Sequence, residues 1–309
     1  MRRKRIAIVP LLALGLALIA SGCTPAATNT GTFNSGNAPY DAIINGGAVA
    51  DQATIDANQW AKAVKAAGVL KVGGSQTSNL FSLLDPATGK VVGFDAGLSQ
   101  LLARYILGDA QTELTTITTA TREEVLTSHS VDVVFATYSI TAARMEKINF
   151  AGPYYTSQAA ILVKKDNTTI NGVDDLAGKK VATQATSTGV TTLQKYAPKA
   201  TIQELPDHAQ CLAAVQQGQV DAYVIDQSLL LNALVSNTDV KIVGDPFGPV
   251  DAYGIGVAKD NDGKAFIDAW LKKVMDDGTW LKLWEATIKA KTGTTTVPTP
   301  PAINSAGNG

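Results

Sequence analysis

The chain has 309 residues, of which 45% are apolar, 17% charged and 6% aromatic, enough apolar material for one large core or two ordinary ones. That composition excludes a disordered or coiled-coil protein, and no apolar run reaches the roughly 18 residues of a membrane-spanning helix. The formal net charge is −1, and without the four basic residues Arg2, Arg3, Lys4 and Arg5 it becomes −5, which argues against nucleic acid as a partner because phosphate neutralisation needs a basic face.

Met1 to Arg5 is basic, Ile6 to Ile19 is apolar, and Ala20-Ser21-Gly22 places small residues before Cys23. Basic, then briefly apolar, then small is the pattern of an export signal. Ending on a cysteine, it resembles the bacterial lipobox, although Ala20 stands where Leu is most common. The resemblance implies cleavage after residue 22, lipidation of Cys23, and anchoring at the outer face of the cell membrane. Only Cys211 remains as a second cysteine, so a lipidated Cys23 leaves no internal disulfide, and Cys211 reads as a small core residue. Residues 23–55 are rich in Thr, Asn, Gly, Ala and Pro and read as a flexible tether.

The body alternates. Val69–Gly73 reads as a strand, Ala96–Leu107 as a helix, Leu114–Thr118 as a strand, Thr121–Ser128 as a helix and Val131–Ala136 as a buried strand. The pattern resumes with strand Lys180–Thr183, helix Ser187–Tyr196, strand Ile202–Leu205, helix His208–Gln217 and strand Val220–Ile225. Helices Asp262–Asp276 and Thr279–Lys289 close it, and residues 292–309 read as a disordered tail. Strands interleaved with helices predict an α/β fold with mostly parallel sheets. SVDVVFAT and QVDAYVID echo one another about 90 residues apart, each after a helix, which suggests two similar lobes. Ligands of open α/β sheets sit beyond the carboxyl ends of strands, so two such edges predict a polar cleft between the lobes.

Catalytic signatures are absent: there is no nucleophile elbow, Walker loop, metal-spaced His/Cys cluster or dinucleotide fingerprint, and His129 and His208 are the only histidines. No cofactor, metal or catalytic residue is expected. Binding features are better defined. Thr141 can cap a helix in whose first turn Arg144 opposes the macrodipole, an arrangement that suggests a bidentate carboxylate clamp; a solvated or paired arginine is the plain alternative. Thr186-Ser187-Thr188-Gly189 opens a helix and can meet an anion, or merely cap. Asp226 ends a strand and can accept an ammonium group, or cap the next helix. Together these suit a zwitterionic amino acid.

The stretches Gly93-Phe94-Asp95, VDVVFATYSITAARMEKINFAGPYYTSQAAILV, DLAGKKVATQATST, VDAYVID, DAYGIGVAK and DDGTWLKLWE, in this order between Val69 and Trp284, resemble the family 3 solute-binding proteins of amino-acid ABC transporters, most of all actinobacterial glutamate/glutamine-type lipoproteins. The resemblance implies a two-lobed, type II periplasmic-binding-protein-like fold that closes on its ligand. It places lobe 1 at 56–158 and 253–291 and lobe 2 at 159–252, with crossings near Ala159–Lys164 and Tyr253–Val257. By the same resemblance Phe81 packs over the ligand, Thr137 and Ser139 contact its backbone, Arg144 clamps its carboxylate beside Thr186, Ser187 and Thr188, and Asp226 takes its ammonium. Arg122, with Thr119 three residues before it, and His208 match the side-chain subsite of glutamate/aspartate binders. Ser75 stands where some of those have arginine, and Gln184 where glutamine binders have lysine. The implied protein is a monomeric, lipid-anchored carrier of an acidic amino acid to an ABC permease, not an enzyme. Glutamine or asparagine as ligand, and sensing through a membrane signalling partner, are the alternatives.

Overall fold

The computed structural model describes residues 32–306; the expected signal segment and Cys23 lie outside them. Among the described residues no helix is long and apolar enough to cross a membrane.

Three helices come first: α1 (Ala38–Gly46), α2 (Gln52–Asp56) and α3 (Gln59–Ala67). They correct the expected tether over its second half. Asn37, Asp51 and Asn58 each cap a helix with a side-chain oxygen, and Tyr40 and Ile44 are buried. Tyr40 donates its hydroxyl to Gln100 Oε1 at 2.8 Å. A composition rich in Asn, Ala and Gly reads as linker, but the caps satisfy the free N–H groups of short helices and the few large apolar residues bind them to the core.

The first lobe follows: β1 (Leu70–Gly74), a small antiparallel sheet of β2 (Thr77–Ser78), β3 (Ser82–Leu84) and β4 (Val91–Val92), then α4 (Phe94–Leu107), β5 (Thr112–Thr116), α5 (Arg122–Thr127), β6 (Val133–Phe135) and α6 (Ala142–Met145). Gly93, at φ 138°, caps α4; a Cβ there would lie 2.4 Å from the Phe81 carbonyl carbon, so only glycine lets α4 start against this turn. The long strand β7 (Asn149–Lys164) leads on to β8 (Lys180–Gln184), α7 (Thr188–Tyr196), β9 (Thr201–Leu205), α8 (His208–Gln216), β10 (Ala222–Asp226) and α9 (Gln227–Leu234). A second long strand, β11 (Val240–Val257), precedes α10 (Gly263–Asp276) and α11 (Thr279–Trp284). α11 continues without a break as a π-turn at Glu285–Lys289 and a last turn, α12 (Ala290–Thr292), so the helical run extends past the expected end at Lys289.

The eight-stranded sheet runs β5-β1-β6-β11-β7-β10-β8-β9. β1 pairs in parallel with β5 and β6, and β8 with β9 and β10, while β7 and β11 pair antiparallel along their length. The first half of β7 packs with a core containing Phe94, Phe135, Trp270 and Trp280; its second half, Ala159 to Val163, packs with Val181, Leu193, Val215 and Tyr223. The sequence echo has a structural counterpart. Asp132 Oδ2 accepts the Lys71 N–H, and Asp221 Oδ2 accepts the Lys180 N–H, both at 2.8 Å. In each half a Val-Asp step ties the strand start to the first strand of its own lobe.

The last described residues, 293 to 306, hold no helix or strand, yet they are not loose throughout: the Asn304 N–H donates to the Gly152 carbonyl at 2.8 Å and Ile303 packs on the first core.

Candidate functional site: a polar cleft between the lobes

The cleft begins where β6 ends. Thr137 takes a left-handed φ of 44°, held by its N–H donating to Asp95 Oδ2 at 2.9 Å. Asp95 Oδ1 also accepts the Tyr154 hydroxyl at 2.9 Å. Burial pushes the Asp95 carboxyl up to about 7, against the pull of these two donors. The turn carries the chain through Tyr138 to Ser139, which bridges to Tyr253 of β11.

Thr141 caps α6 as expected, accepting the Arg144 N–H at 3.3 Å. The helix is one turn long, so the macrodipole argument carries little weight. What holds Arg144 is specific: Nη1 donates to the Ser139 carbonyl at 2.7 Å, and Nη2 donates across the cleft to the Thr186 carbonyl at 3.0 Å. Glu123 Oε1 lies 3.9 Å from its Nε. Arg122 is 3% exposed and donates only to the Thr119 and Ala136 carbonyls. The Tyr138 ring centre lies 4.1 Å from the Arg122 guanidinium and 5.1 Å from that of Arg144. Burial, then the charge of Arg144, bring the Arg122 pKa down to about 10, so it stays charged at neutral pH.

From the second lobe, Ser187 opens α7 but donates its hydroxyl to the Gln184 carbonyl at 2.6 Å, and Thr119 donates to the Ala185 carbonyl at 2.6 Å. Asp226 does not cap α9. Its Oδ2 accepts the Tyr253 hydroxyl at 2.7 Å, and burial, then the neighbouring Asp251, push its carboxyl up to about 8. His208 opens α8 with Nδ1 3.2 Å from the Tyr223 hydroxyl, which accepts from Gln184 Nε2 at 2.9 Å. Burial holds the ring neutral, with its pKa down at about 4.

Eight of the eleven expected residues line one cavity of about 20 Å³: Thr119, Arg122, Thr137, Ser139, Arg144, Ser187, Thr188 and Asp226. Phe81 and His208 line an adjoining space of about 220 Å³ that shares Thr119, Arg122 and Thr137 with it. Phe81 is also core, edge-on to Tyr155 and Tyr253. Thr186 lines neither; it contributes its carbonyl to Arg144. A larger space of about 450 Å³ on the far side of Asp95 touches none of the eleven. Glu123, Tyr138, Gln184 and Asp251 belong to the same cluster; Gln184 is marked only by the family resemblance, and nothing in the local sequence marks the other three.

Two guanidinium groups, the three carboxyl groups of Glu123, Asp226 and Asp251, and a neutral imidazole, gathered between lobes, can hold a small charged molecule. The sequence profile of bacterial extracellular solute-binding proteins, family 3, matches residues 70–288. The chain belongs to this family. It is a binding protein and not an enzyme. A glutamine-binding protein of Geobacillus stearothermophilus is 36% identical over 64% of this chain and 75% of its own. The glutamate-binding protein GluB of Corynebacterium glutamicum is 32% identical over 62% of this chain and 69% of its own. The crystal structure of a cysteine-binding protein from Campylobacter jejuni, 25% identical, superposes with a TM-score of 0.72 and covers 77% of this chain and 96% of that one. This solute-binding protein therefore has the two-lobed, type II periplasmic-binding fold expected from its sequence.

Proposed function

We propose that this solute-binding protein captures an acidic amino acid, glutamate or aspartate, outside the cell membrane and hands it to an ABC permease. The amino-acid class and the permease rest on family membership and on the relatives' stated ligands. In this reading Arg144 and the free N–H groups at the start of α7 take the α-carboxylate, Asp226 and Ser139 take the ammonium, and Phe81 closes the pocket wall. Cleavage after residue 22 and lipid on Cys23 keep the monomer at the membrane.

The acidic side chain is carried by Arg122. It is buried, charged and stacked, and among the described residues no carboxylate lies within 4.0 Å of it, whereas Arg144 has Glu123. A buried cation with no carboxylate in contact is costly; Glu123 and Asp226 act on Arg122 only from beyond contact distance, and a second carboxylate on the ligand supplies the missing pair. One observation favours glutamine instead: Gln184 lines the cavity and commits its Nε2 to Tyr223, leaving a carbonyl oxygen that could accept from a ligand amide.

Calorimetric titration of the refolded, ligand-stripped protein with Glu, Asp, Gln and Asn tests the choice. Tight binding of Glu or Asp, shifting toward amides in Arg122→Ala, supports it. Tight binding of glutamine with no response to glutamate overturns the acidic assignment and leaves the amino-acid class standing.

A further inference from the structure

Tyr138 follows β6, is fully buried and lines neither space of the cleft. Both arginines that do line the cleft stand over its ring, Arg122 with its guanidinium carbon 4.1 Å from the ring centre and Arg144 at 5.1 Å. The Tyr138 hydroxyl donates to Glu123 Oε1 at 2.6 Å, and that same oxygen lies 3.9 Å from Arg144 Nε. Burial, then the bond to Glu123, push the phenol's pKa up, so it keeps the proton it donates. Phe150 packs edge-on with ring centres 4.7 Å apart and fixes the ring from the core side. A side chain that only filled the core would need neither the acceptor nor the two cations.

Two like charges brought to one buried side chain repel each other, and water is not there to screen them. An aromatic face is the negative part of the ring's quadrupole and attracts a cation, most strongly where water is excluded. A phenol that donates to a carboxylate passes electron density into its ring and strengthens that attraction. Glu123 and Tyr138 thus offset, from behind the cleft, a repulsion that would turn the two guanidinium groups away from each other.

We propose that Tyr138 is a positioning residue for dicarboxylate ligands: its ring holds the Arg122 and Arg144 guanidinium groups side by side, so that one ligand can pair with both. The inference rests on the acidic-ligand reading of the cleft. A ligand with a single carboxylate needs only one of the two arginines in place, so loss of the ring weakens glutamate more than glutamine.

Tyr138→Phe and Tyr138→Leu separate the ring from the hydroxyl, since both lose the bond to Glu123 and only the leucine lacks the π face. Calorimetric titration of the full-length protein with glutamate and with glutamine reads the ratio of the two affinities. Tyr138→Leu should cut the preference for glutamate about tenfold, the size of one cation–π contact shielded from water, and Tyr138→Phe by about threefold or less. A residue that only fills space would weaken both ligands alike. An unchanged ratio in Tyr138→Leu, or an equal change in the two variants, overturns the proposal. Should the leucine variant not fold, Tyr138→Phe decides alone: a tenfold loss of preference with the ring intact overturns it. A ligand-free measurement covers the case in which glutamate does not bind. If the ring offsets repulsion between the arginines, removing one arginine removes the need for it. Tyr138→Leu should then lower the melting temperature by several degrees in the wild type and by less than half as much in an Arg122→Met background. Equal losses in the two backgrounds overturn the proposal, whereas unequal losses with glutamine bound and glutamate ignored overturn only the acidic reading.

Discussion

Asp95 reaches 42 residues along the chain to hold the backbone N–H of Thr137 at 2.9 Å, and that single bond fixes a non-glycine residue in left-handed backbone at the edge of the cleft. The strained turn is what directs Ser139 and Arg144 toward the second lobe. Asp95→Asn turns an amide N–H₂ toward donors that require acceptors. A loss of about 1–3 kcal/mol is expected, with a melting shift of several degrees and weaker binding of every ligand. Unchanged melting and affinity would remove Asp95 from this role.

Arg144→Ala takes away two charged donors. If it clamps the α-carboxylate, affinity for any amino acid should drop roughly 100-fold, since charge-assisted bonds contribute about 1.5–3 kcal/mol each. Equilibrium dialysis with the ligand found by titration measures it; a loss under fivefold would contradict the clamp.

Asn232 of α9 accepts from the Leu80 N–H at 2.8 Å and from the Ser78 hydroxyl at 3.2 Å, and so ties the second lobe to the β2–β3 turn of the first. Asn232 also lines the space of about 220 Å³ beside Phe81 and His208, but its carbonyl oxygen is committed to the first lobe; Asn232→Ala should therefore lower affinity for all ligands by a common factor of about five to ten without changing their order. A changed order of preference would mean that Asn232 contacts the ligand and does not act through the tie between lobes.

His208 is held neutral, with its pKa depressed from 6.5 to about 4. A depressed folded value gives stability that is present above the unfolded pKa and lost as pH falls toward 4. His208→Gln lacks that loss. The melting-temperature difference, variant minus wild type, should therefore become more positive from pH 6.5 down to 4.5. A constant difference would mean the ring protonates freely in the folded protein.

Removing residues 32–50 should destabilise the protein, since Tyr40 and Ile44 are buried there. Tyr40→Ala alone should cost about 3–5 kcal/mol, as large-to-small core changes do. Urea unfolding decides it, with an unchanged midpoint restoring the tether.

The alternation of the body was legible because β6 and β10 are short, apolar on both faces and preceded by a polar turn, so VDVVFA and VDAYVI stand out as runs. β7 and β11 were not legible as strands: each leaves one core, crosses polar cleft residues and enters another region, so neither keeps a period of two, and β11 contains Pro246 and Pro249. Arg144, Thr188 and Asp226 were singled out by their places at helix starts and a strand end, and the fold brings the three to one cavity. Asp251 was not, because it sits mid-strand among residues with no pattern, and only the folding of three distant segments gives it neighbours. Helix α1 carried a readable signal in Asn37-Ala38-Pro39, a cap followed by proline in the first turn, but the surrounding composition masked it.

The pairing of β7 with β11 sets how the cleft can move. Its register breaks between Val243 and Phe247, between Phe247 and Val250, and between Tyr253 and Ile255, while the pairs at either end stay regular. A two-stranded ribbon with unbroken ends resists stretching and sliding, and bends where the ladder is interrupted. The lobes thus share one soft coordinate. Anything outside the membrane that reads this molecule reads an angle, and the same three interruptions set how much of a solute's binding energy goes into changing it.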